Sequence, residues 1–358
     1  MKPARKKYIE ELLTEAEVDA FVFFDLANIR YLSDFTGTDG VLVVTRQAAT
    51  FLTDSRYQTQ ARQQVTVESV ICYQKKLDGL VAELLRLGTR RVGFEAETLT
   101  VATWEDLKKK ANGQIDWIAV TKPLRALRSI KDKEELAALE HAALLNQQAF
   151  DEITPLLKPG TTEREIALAL EFALKTLGGE EKAFDFIIAS GERGAMPHGL
   201  ASEKQLRSGE LVTIDFGTRV AGYHSDETVT VAIGAVEQKL RDIYDTVLMA
   251  HDLALAAVKP GIGIVELDAV AREYITSKGY GDFFGHGLGH GLGLNVHEFP
   301  ALSPNSEGDL EEGMVITIEP GIYMPDIGGV RIEDSVVVTA HGCRCLTRIA
   351  KKFQQFPA

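Results

Sequence analysis

The chain has 358 residues, of which 45% are hydrophobic and 25% are charged, and its formal net charge is −13. This length provides for about two domains, and such an acidic surface repels phosphate backbones and anionic membranes, so neither nucleic acid nor a membrane is expected as a partner. No apolar run is long enough to span a bilayer, and three cysteines with no apolar leader segment favour a reducing, cytoplasmic location.

The first 125 or so residues alternate strand-like and helix-like segments, which is typical of an α/β domain. The predicted strands are residues 21–24, 40–45 and 49–53, and the predicted helices are residues 9–18, 55–64 and 77–87. The basic segment 122–133 contains a proline and precedes a long helix, so it is predicted to connect the two domains. The expected domains are therefore residues 1–125 and residues 126–358.

The second domain contains an internal repeat. Lys158-Pro-Gly and Lys259-Pro-Gly each follow an amphipathic helix, predicted at residues 134–157 and 240–258, and each precede a second helix. A histidine-bearing segment and a predicted β-hairpin come next in both copies. The period is too long for a solenoid, so it predicts two α/β halves that are related by a pseudo-two-fold axis and enclose one site.

Both predicted hairpins carry acidic side chains on one face. In a simple register, the opposed pairs of the first hairpin are Asp215 with Asp226 and Thr213 with Thr228, and those of the second are Glu319 with Glu333 and Thr317 with Ser335. Side chains alternate along a strand, so these groups share a face, and Arg331 joins them in the second hairpin. Opposed like charges repel, so each hairpin needs a positive partner. The alternative, charges that simply face solvent, is disfavoured because the arrangement occurs twice.

Four histidines precede these hairpins. His198 lies in a Pro-His-Gly segment before the first, and His286, His290 and His297 lie in a glycine-rich segment before the second. The repeat makes His198 and His297 nearly equivalent, so both are predicted to face one site. Glycines around His290 allow close backbone approach. A phosphate-binding loop is disfavoured because the segment does not open a P-loop and nearby carboxylates repel an anion.

Four carboxylates and one imidazole form a hard, oxygen-rich ligand set. Such a set suits two divalent cations, with manganese favoured and cobalt, zinc and iron as alternatives. A pair of cations about 3.5–4 Å apart holds a bridging hydroxide and polarises a carbonyl group, which is the usual equipment for hydrolysis. Cys343 and Cys345 are predicted to be structural, since no further thiol completes a thiolate site.

At these residues the sequence resembles the pita-bread metallopeptidases, which include aminopeptidase P, Xaa-Pro dipeptidase (prolidase), methionine aminopeptidase and the non-metal creatinase. The N-terminal segments that begin at Asp25 and Thr53 resemble the creatinase-type domain, which methionine aminopeptidases generally lack. The matching C-terminal motifs are Ile214-Asp-Phe-Gly, Ser225-Asp, Gly289-His-Gly-Leu-Gly, Val296-His-Glu, Ile318-Glu-Pro-Gly-Ile-Tyr and Gly329-Val-Arg-Ile-Glu-Asp. The resemblance implies an α/β chain with a creatinase-type N-terminal domain followed by a pseudo-two-fold pita-bread aminopeptidase domain.

The resemblance also implies a role for each matching residue. Asp215 would chelate one cation, Asp226 and Glu333 would bridge both, and His290 and Glu319 would complete the other coordination shell. The implied catalytic residues are His198, His297 and Glu319, and the implied substrate-binding residues are His286 and Arg331. The two catalytic histidines would hydrogen-bond the scissile amide and the tetrahedral intermediate, and Glu319 would relay a proton to the leaving nitrogen.

The implied activity is hydrolysis of the N-terminal Xaa-Pro bond in dipeptides or short peptides, through a metal-bridging hydroxide, by a homodimer. The choice between dipeptidase and aminopeptidase P stays open, and so does the role of Arg331. It meets a dipeptide's terminal carboxylate or the next backbone carbonyl of a longer peptide, with the carboxylate favoured, or it only pairs with neighbouring acids. The alternatives are a peptidase with another N-terminal preference, an esterase on the same site, and a non-catalytic binding module. One departure from the family pattern, Glu227 and Val229, is predicted to point away from the metal side.

Overall fold

The computed structural model describes the backbone of residues 1–358 and side chains other than that of Pro123. It divides into two compact units, Met1–Arg128 and Ser129–Ala358. No helix in the described part of the chain is long and apolar enough to cross a membrane.

The first unit is a six-stranded sheet with helices packed against it. Its strands are β1 (Ala20–Phe23), β2 (Val41–Thr45), β3 (Ala49–Thr53), β4 (Ser69–Cys72), β5 (Arg91–Glu95) and β6 (Asp116–Val120). Its helices are α1 (Pro3–Glu15), α2 (Leu26–Ser33), α3 (Gln58–Gln64), α4 (Lys76–Arg86), α5 (Val101–Ala111) and α6 (Lys122–Arg125). The strand order is β4-β3-β2-β1-β5-β6, with antiparallel pairs only at β1–β2 and β2–β3 among the described strands. The predicted α/β class is confirmed.

The predicted elements of this unit are found with shifted ends. Strands β1 to β3 lie within one residue of their predicted bounds, whereas α1 begins at Pro3, earlier than expected, and ends at Glu15. Proline is favoured in the first helical turn, where its missing N–H costs nothing. Glu17 has a positive φ of 52°, which stops the helix before the predicted end.

The second unit contains two helix pairs and two main sheets. Its helices are α7 (Lys133–Ile153), α8 (Glu163–Thr176), α9 (Gln238–Ala257) and α10 (Ile264–Ser277), with 3₁₀ turns at Thr154–Leu156, Gly191–Ala195 and Gly281–Phe283. Its strands are β7 (Ile187–Ser190), β8 (Glu210–Phe216), β9 (Arg219–Val220), β10 (Tyr223–His224), β11 (Glu227–Ile233), β12 (Gly289–Gly291), β13 (Glu298–Leu302), β14 (Val315–Ile318), β15 (Gly321–Met324), β16 (Gly328–Arg331), β17 (Asp334–Thr339), β18 (Gly342–Cys345) and β19 (Gln355–Phe356).

Each half of the second unit has its own core, as the internal repeat predicts. Phe150 of α7 and Leu170 of α8 belong to one buried cluster with Ile214 of β8, in the sheet β19-β11-β8-β7. Val247 of α9 and Leu267 of α10 belong to the other cluster, with residues of the sheet β13-β12-β14-β17-β18. The two halves therefore have the same construction, a helix pair packed on a sheet.

The register of the first hairpin differs from the predicted one. Asp215 pairs with Thr228 rather than with Asp226, and Thr213 pairs with Thr230 rather than with Thr228. The turn is Ala221-Gly222, whose φ values of 48° and 80° fit the two-residue turn of a tight hairpin. This turn lies one residue further along the chain than predicted, so the partner of each residue shifts by two residues. Because side chains alternate with a period of two, every side chain keeps its predicted face.

The register of the second hairpin is confirmed where its strands pair, since Thr317 lies opposite Ser335. Glu319 directly follows β14 and Glu333 directly precedes β17, so both lie just outside the paired segment. Beyond them, Gly321 pairs with Arg331 in the short ribbon β15–β16, which continues the same register. The two carboxylates therefore lie at the junction between two paired segments.

Glu227, the departure from the family pattern, is fully buried and faces away from the predicted ligands. Its carboxylate accepts hydrogen bonds from the Lys351 ammonium at 2.7 Å and from the Ile349 backbone N–H at 3.0 Å. The same ammonium lies 3.5 Å from Asp334, the residue that follows Glu333. A buried carboxylate needs such a partner, and Val229 beside it packs into the apolar core.

Candidate metal centre and active site

A cavity of about 460 Å³ opens in the second unit beside both hairpins. The residues that the sequence predicted for the site all line it: His198, Asp215, Asp226, His286, His290, His297, Glu319, Arg331 and Glu333. Apolar side chains complete the wall, namely Phe184, Ile187, Pro197, Leu200 and Val296. The structure therefore brings together polar groups that are far apart in the sequence and places them next to an apolar surface.

Hydrogen bonds between the two halves fix the carboxylates. The backbone N–H of Glu333 donates to the carbonyl of Thr228 at 3.1 Å, and the Ser335 hydroxyl donates to the carbonyl of Asp226 at 2.8 Å. The Thr230 hydroxyl donates to the carbonyl of Arg331 at 2.8 Å. These bonds hold β11 of one half against β16 and β17 of the other, so the acids of both hairpins meet.

His290 is oriented with one ring nitrogen toward the acids. Its Nδ1 lies 3.0 Å from the Gly291 carbonyl and can only donate there, which leaves the lone pair on Nε2. Nε2 lies 3.5 Å from Asp226 Oδ2 and 3.3 Å from Glu319 Oε1. A Cβ on Gly289 would lie 2.0 Å from the Thr317 carbonyl oxygen, so this strand can approach its neighbour only with glycine there.

The acids form a cluster with free ligand atoms. Asp226, His290 and Glu333 each offer one atom that could bind a metal ion, and these three atoms lie within 4.8 Å of one another. The Thr228 hydroxyl donates to Glu333 Oε2 at 2.6 Å. By contrast, Glu333 Oε1 and Asp215 Oδ1 are buried with no hydrogen-bond partner. Glu227 Oε2, on the opposite face, also lacks a hydrogen-bond partner, but Asp215 and Glu333 line the cavity together with Asp226, Glu319 and His290, so here a cation is the partner that fits.

The charges at this cluster require compensation. Burial, followed by the neighbouring carboxylates of Glu319 and Asp215, raises the pKa of Glu333 well above its usual range. Burial and then Glu333 raise the pKa of Asp226 in the same way, and burial also raises the pKa of Glu319. The residues present therefore fit divalent cations, which stabilise the ionised carboxylates that burial disfavours.

Chelator-treated protein is expected to lose thermal stability as the pH rises above the ordinary carboxylate range. The folded-state pKa values of Asp226, Glu319 and Glu333 are raised, so their contribution to stability is complete below the unfolded values and is lost as the pH passes through the folded ones. Metal-loaded protein should show the opposite trend, because cations bind ionised carboxylates. Calorimetric Tm values from about pH 5 to about pH 8, with EDTA or with manganese, test this. Parallel curves would contradict it.

Arg331 lies within a chain of internal hydrogen bonds. Its Nη2 donates to Asp215 Oδ2 at 2.6 Å, and its Nη1 donates to the Tyr323 hydroxyl at 2.9 Å. The Tyr323 hydroxyl in turn lies 2.8 Å from His286 Nε2. The sequence reasoning assigned no role to Tyr323, although it ends the motif Ile318-Glu-Pro-Gly-Ile-Tyr, and register places it diagonally across from Arg331.

His198 and His297 both face the cavity from exposed positions. The rings of His297 and His290 meet edge to face, with centroids 4.3 Å apart. Partial burial, and then His290, lower the pKa of His297, which favours the neutral form of its ring. A Cβ on Gly329 would lie 2.1 Å from the Gly194 carbonyl oxygen, so glycine in β16 lets the segment that leads to His198 pack closely.

The segment that carries His198 is also held by a buried acid. Glu163, at the start of α8, accepts hydrogen bonds from the Ser190 hydroxyl at 2.8 Å and from the Ser202 hydroxyl at 2.6 Å, and it pairs with Arg193. Arg193 donates to the Leu200 carbonyl at 2.8 Å. His198 therefore lies on a fixed segment rather than on a loose loop.

Two family models match the chain. The model for metallopeptidase family M24 matches residues 137–340, and the model for the creatinase/prolidase N-terminal domain matches residues 5–130. Together these matches extend over both units of the structure.

Several peptidases are similar to this protein over nearly the whole chain. An Xaa-Pro dipeptidase of Pyrococcus horikoshii is 39% identical over 97% of this chain and 97% of its own. The structure of an Xaa-Pro dipeptidase from Bacillus anthracis superposes with a TM-score of 0.95 at 38% identity, covering 99% of each chain. An X-Pro aminopeptidase from Thermotoga maritima superposes with a TM-score of 0.88 at 35% identity, covering 96% of this chain and 98% of its own. The expected creatinase-type and pita-bread architecture is confirmed.

Proposed function

The chain belongs to metallopeptidase family M24, and we propose that it hydrolyses the bond before a proline at the second position of dipeptides or short peptides. The observation that carries this proposal is the buried acid cluster around His290, with partnerless oxygens on Asp215 and Glu333, beside two exposed histidines. The names of its similar relatives support the preference for proline.

The ligands we propose are Asp215, Asp226, His290, Glu319 and Glu333. They would hold two divalent cations, manganese first, with cobalt, zinc or iron as alternatives. When bound, such cations activate water and polarise the carbonyl of the scissile bond. Charge balance supports a count of two, since four carboxylates match two divalent cations.

The chain's own residues then position the peptide and move protons. His198 and His297 would donate hydrogen bonds to the carbonyl oxygen of the scissile amide and to the tetrahedral intermediate, where negative charge develops. Glu319 lines the same cavity and would relay a proton to the leaving nitrogen of proline. The apolar wall of Phe184, Ile187 and Leu200 suits the proline ring and the side chain before it, and it excludes water.

We further propose that the protein acts as a homodimer in the cytoplasm. The family resemblance supports the dimer. All three cysteines are unpaired, which is compatible with a reducing compartment. The mass in solution, measured by light scattering, tests the dimer.

The wild-type protein, loaded with manganese, cobalt or zinc, is expected to cleave Ala-Pro-Ala and to leave Ala-Ala-Ala largely intact. Proline offers no N–H to the site, so selection must come from the shape of its ring. Product release measured by chromatography, with EDTA-treated protein as the control, tests both parts. Faster cleavage of Ala-Ala-Ala would defeat the preference for proline and leave the metallopeptidase assignment intact.

A further inference from the structure

We propose that this site prefers peptides that continue beyond the proline, and that a free carboxylate on the proline itself weakens binding. The inference rests on the proposed function and makes it more specific, because it selects tripeptides and longer peptides over dipeptides. Both Xaa-Pro dipeptidases and an X-Pro aminopeptidase are among the similar proteins, so the choice depends on the charges of the cavity wall in this chain.

Arg331 is the arginine of the cavity wall, and its hydrogen bonds are already made. Nε donates to the Thr228 hydroxyl, Nη1 donates to the Pro197 carbonyl and to the Tyr323 hydroxyl, and Nη2 donates to Asp215. Four of the five N–H groups of a guanidinium are therefore engaged. Arg331 is also only 4% exposed. It neutralises internal charge and offers no open pair of donors to a substrate carboxylate.

His286, the other residue predicted to bind substrate, is engaged in the same way. Its Nδ1 lies 2.7 Å from the Gly287 carbonyl and its Nε2 lies 2.8 Å from the Tyr323 hydroxyl. Since Nδ1 can only donate to a carbonyl, Nε2 accepts from Tyr323. Arg331, Tyr323 and His286 thus form one continuous chain of hydrogen bonds. Their polar groups are satisfied within the protein and do not require a bound ligand.

The remaining charged wall is acidic. The described lining of the cavity includes no lysine and no arginine besides Arg331. It does include Asp185, whose carboxylate is 70% exposed and pairs with Lys182 at 2.7 Å. A substrate carboxylate that enters here meets the negative charge of Asp185. The Lys182 ammonium, which could attract that carboxylate, is already paired with Asp185.

These charges treat two kinds of substrate differently. The terminal carboxylate of Ala-Pro must lose water without gaining a charged partner, and the exposed acid of this wall, Asp185, is of the same sign. In a longer peptide, or in a peptide amide, the same position carries a neutral amide that loses less on desolvation. The cost falls on the dipeptide alone, since both substrates share the alanine, the scissile bond and the proline.

The test compares Ala-Pro, Ala-Pro-amide and Ala-Pro-Ala on the manganese-loaded full-length protein. We expect kcat/KM for the amide and for the tripeptide to exceed that for Ala-Pro by about tenfold or more, the scale of one missing charge-assisted hydrogen bond. Equal or faster cleavage of Ala-Pro would overturn the inference while leaving the proposed function in place. Failure to cleave any of the three would overturn the proposed function itself.

Two variants test the physical cause. Asp185→Asn should raise kcat/KM for Ala-Pro several-fold without a matching gain for Ala-Pro-amide, because it removes a negative charge from the wall and leaves Lys182 only its longer contact with Glu171, at 4.0 Å. Asp151→Asn, at an exposed position in α7, is the matched control and should change neither. Arg331→Lys should weaken both substrates by the same factor. A loss confined to Ala-Pro in Arg331→Lys would show Arg331 to be a carboxylate anchor, and an unchanged ratio in Asp185→Asn would remove the electrostatic cause; either result overturns the inference.

Discussion

Replacing Glu333 by alanine is expected to lower kcat/KM on Ala-Pro-Ala by several orders of magnitude and to reduce the bound metal. Glu333 is 2% exposed, the Thr228 hydroxyl donates to one of its oxygens, and its other oxygen is buried without a hydrogen-bond partner. Without this carboxylate the proposed cations would lose a ligand, and water would no longer be activated at neutral pH. Asp226→Ala should have an effect of similar size for the same reason.

The loss can be separated from unfolding. Glu333→Gln keeps the volume and the hydrogen bond with Thr228 but removes a charge that burial and neighbouring acids disfavour. The metal-free variant should therefore melt at or above the wild-type temperature while remaining inactive. Glu312→Ala, at an exposed acid in the turn before β14, is the control and should keep full activity. Kinetics, metal analysis by mass spectrometry and calorimetry give the three readouts. A Glu333→Ala protein with two metals and near-normal turnover would refute the ligand assignment.

Which residues share a face could be predicted from the sequence, because alternation along a strand does not depend on the exact register. Asp215 and Asp226 line one cavity although they are not opposite each other. The register itself depends on the turn. Ala221 has a positive φ, which alanine usually avoids, and this places the turn one residue further along the chain than predicted. No local sequence pattern indicates such a turn at this alanine.

Partners that are distant in the sequence were beyond the reach of sequence reasoning. Lys351, which balances Glu227, comes from the C-terminal segment, where a lysine beside another lysine carries no signal of burial. The same holds for Glu163, which fixes the segment of His198 from the start of α8. Propensity and alternation describe neighbours along the chain, whereas these contacts depend on how whole elements pack.

Tyr323 is a different case, since its position could have been inferred. Register opposes Gly321 to Arg331 and Gly329 to Tyr323, so Tyr323 and Arg331 are diagonal neighbours on one face. A Cβ on Gly321 would lie 2.4 Å from the Tyr323 hydroxyl, so glycine leaves room for the ring to reach Arg331. The hydrogen bond between them was therefore predictable in position, but its effect on the free donors of Arg331 required the distances.

Replacing His198 or His297 by alanine is expected to lower kcat by roughly 10²–10³, the scale of one lost donor to a developing oxyanion. Neither residue is assigned as a ligand, so metal content should stay near the wild-type value. His341→Ala, in the exposed turn after β17, removes an imidazole far along the chain from both motifs and should keep full activity. A His198→Ala or His297→Ala protein that purified without metal would be incompatible with the assigned role.

The double variant decides whether the two histidines act on one group or on two. His198 and His297 approach the cavity from different halves of the second unit, and the His297 ring is held against His290. If one donates to the oxygen and the other to the leaving nitrogen of the tetrahedral intermediate, their losses are independent and should multiply in His198→Ala/His297→Ala. If both donate to the same oxygen, the second substitution should cost much less than the first. We expect the losses to multiply, because the two rings come from different halves of the second unit, and single-turnover rates on Ala-Pro-Ala would measure it.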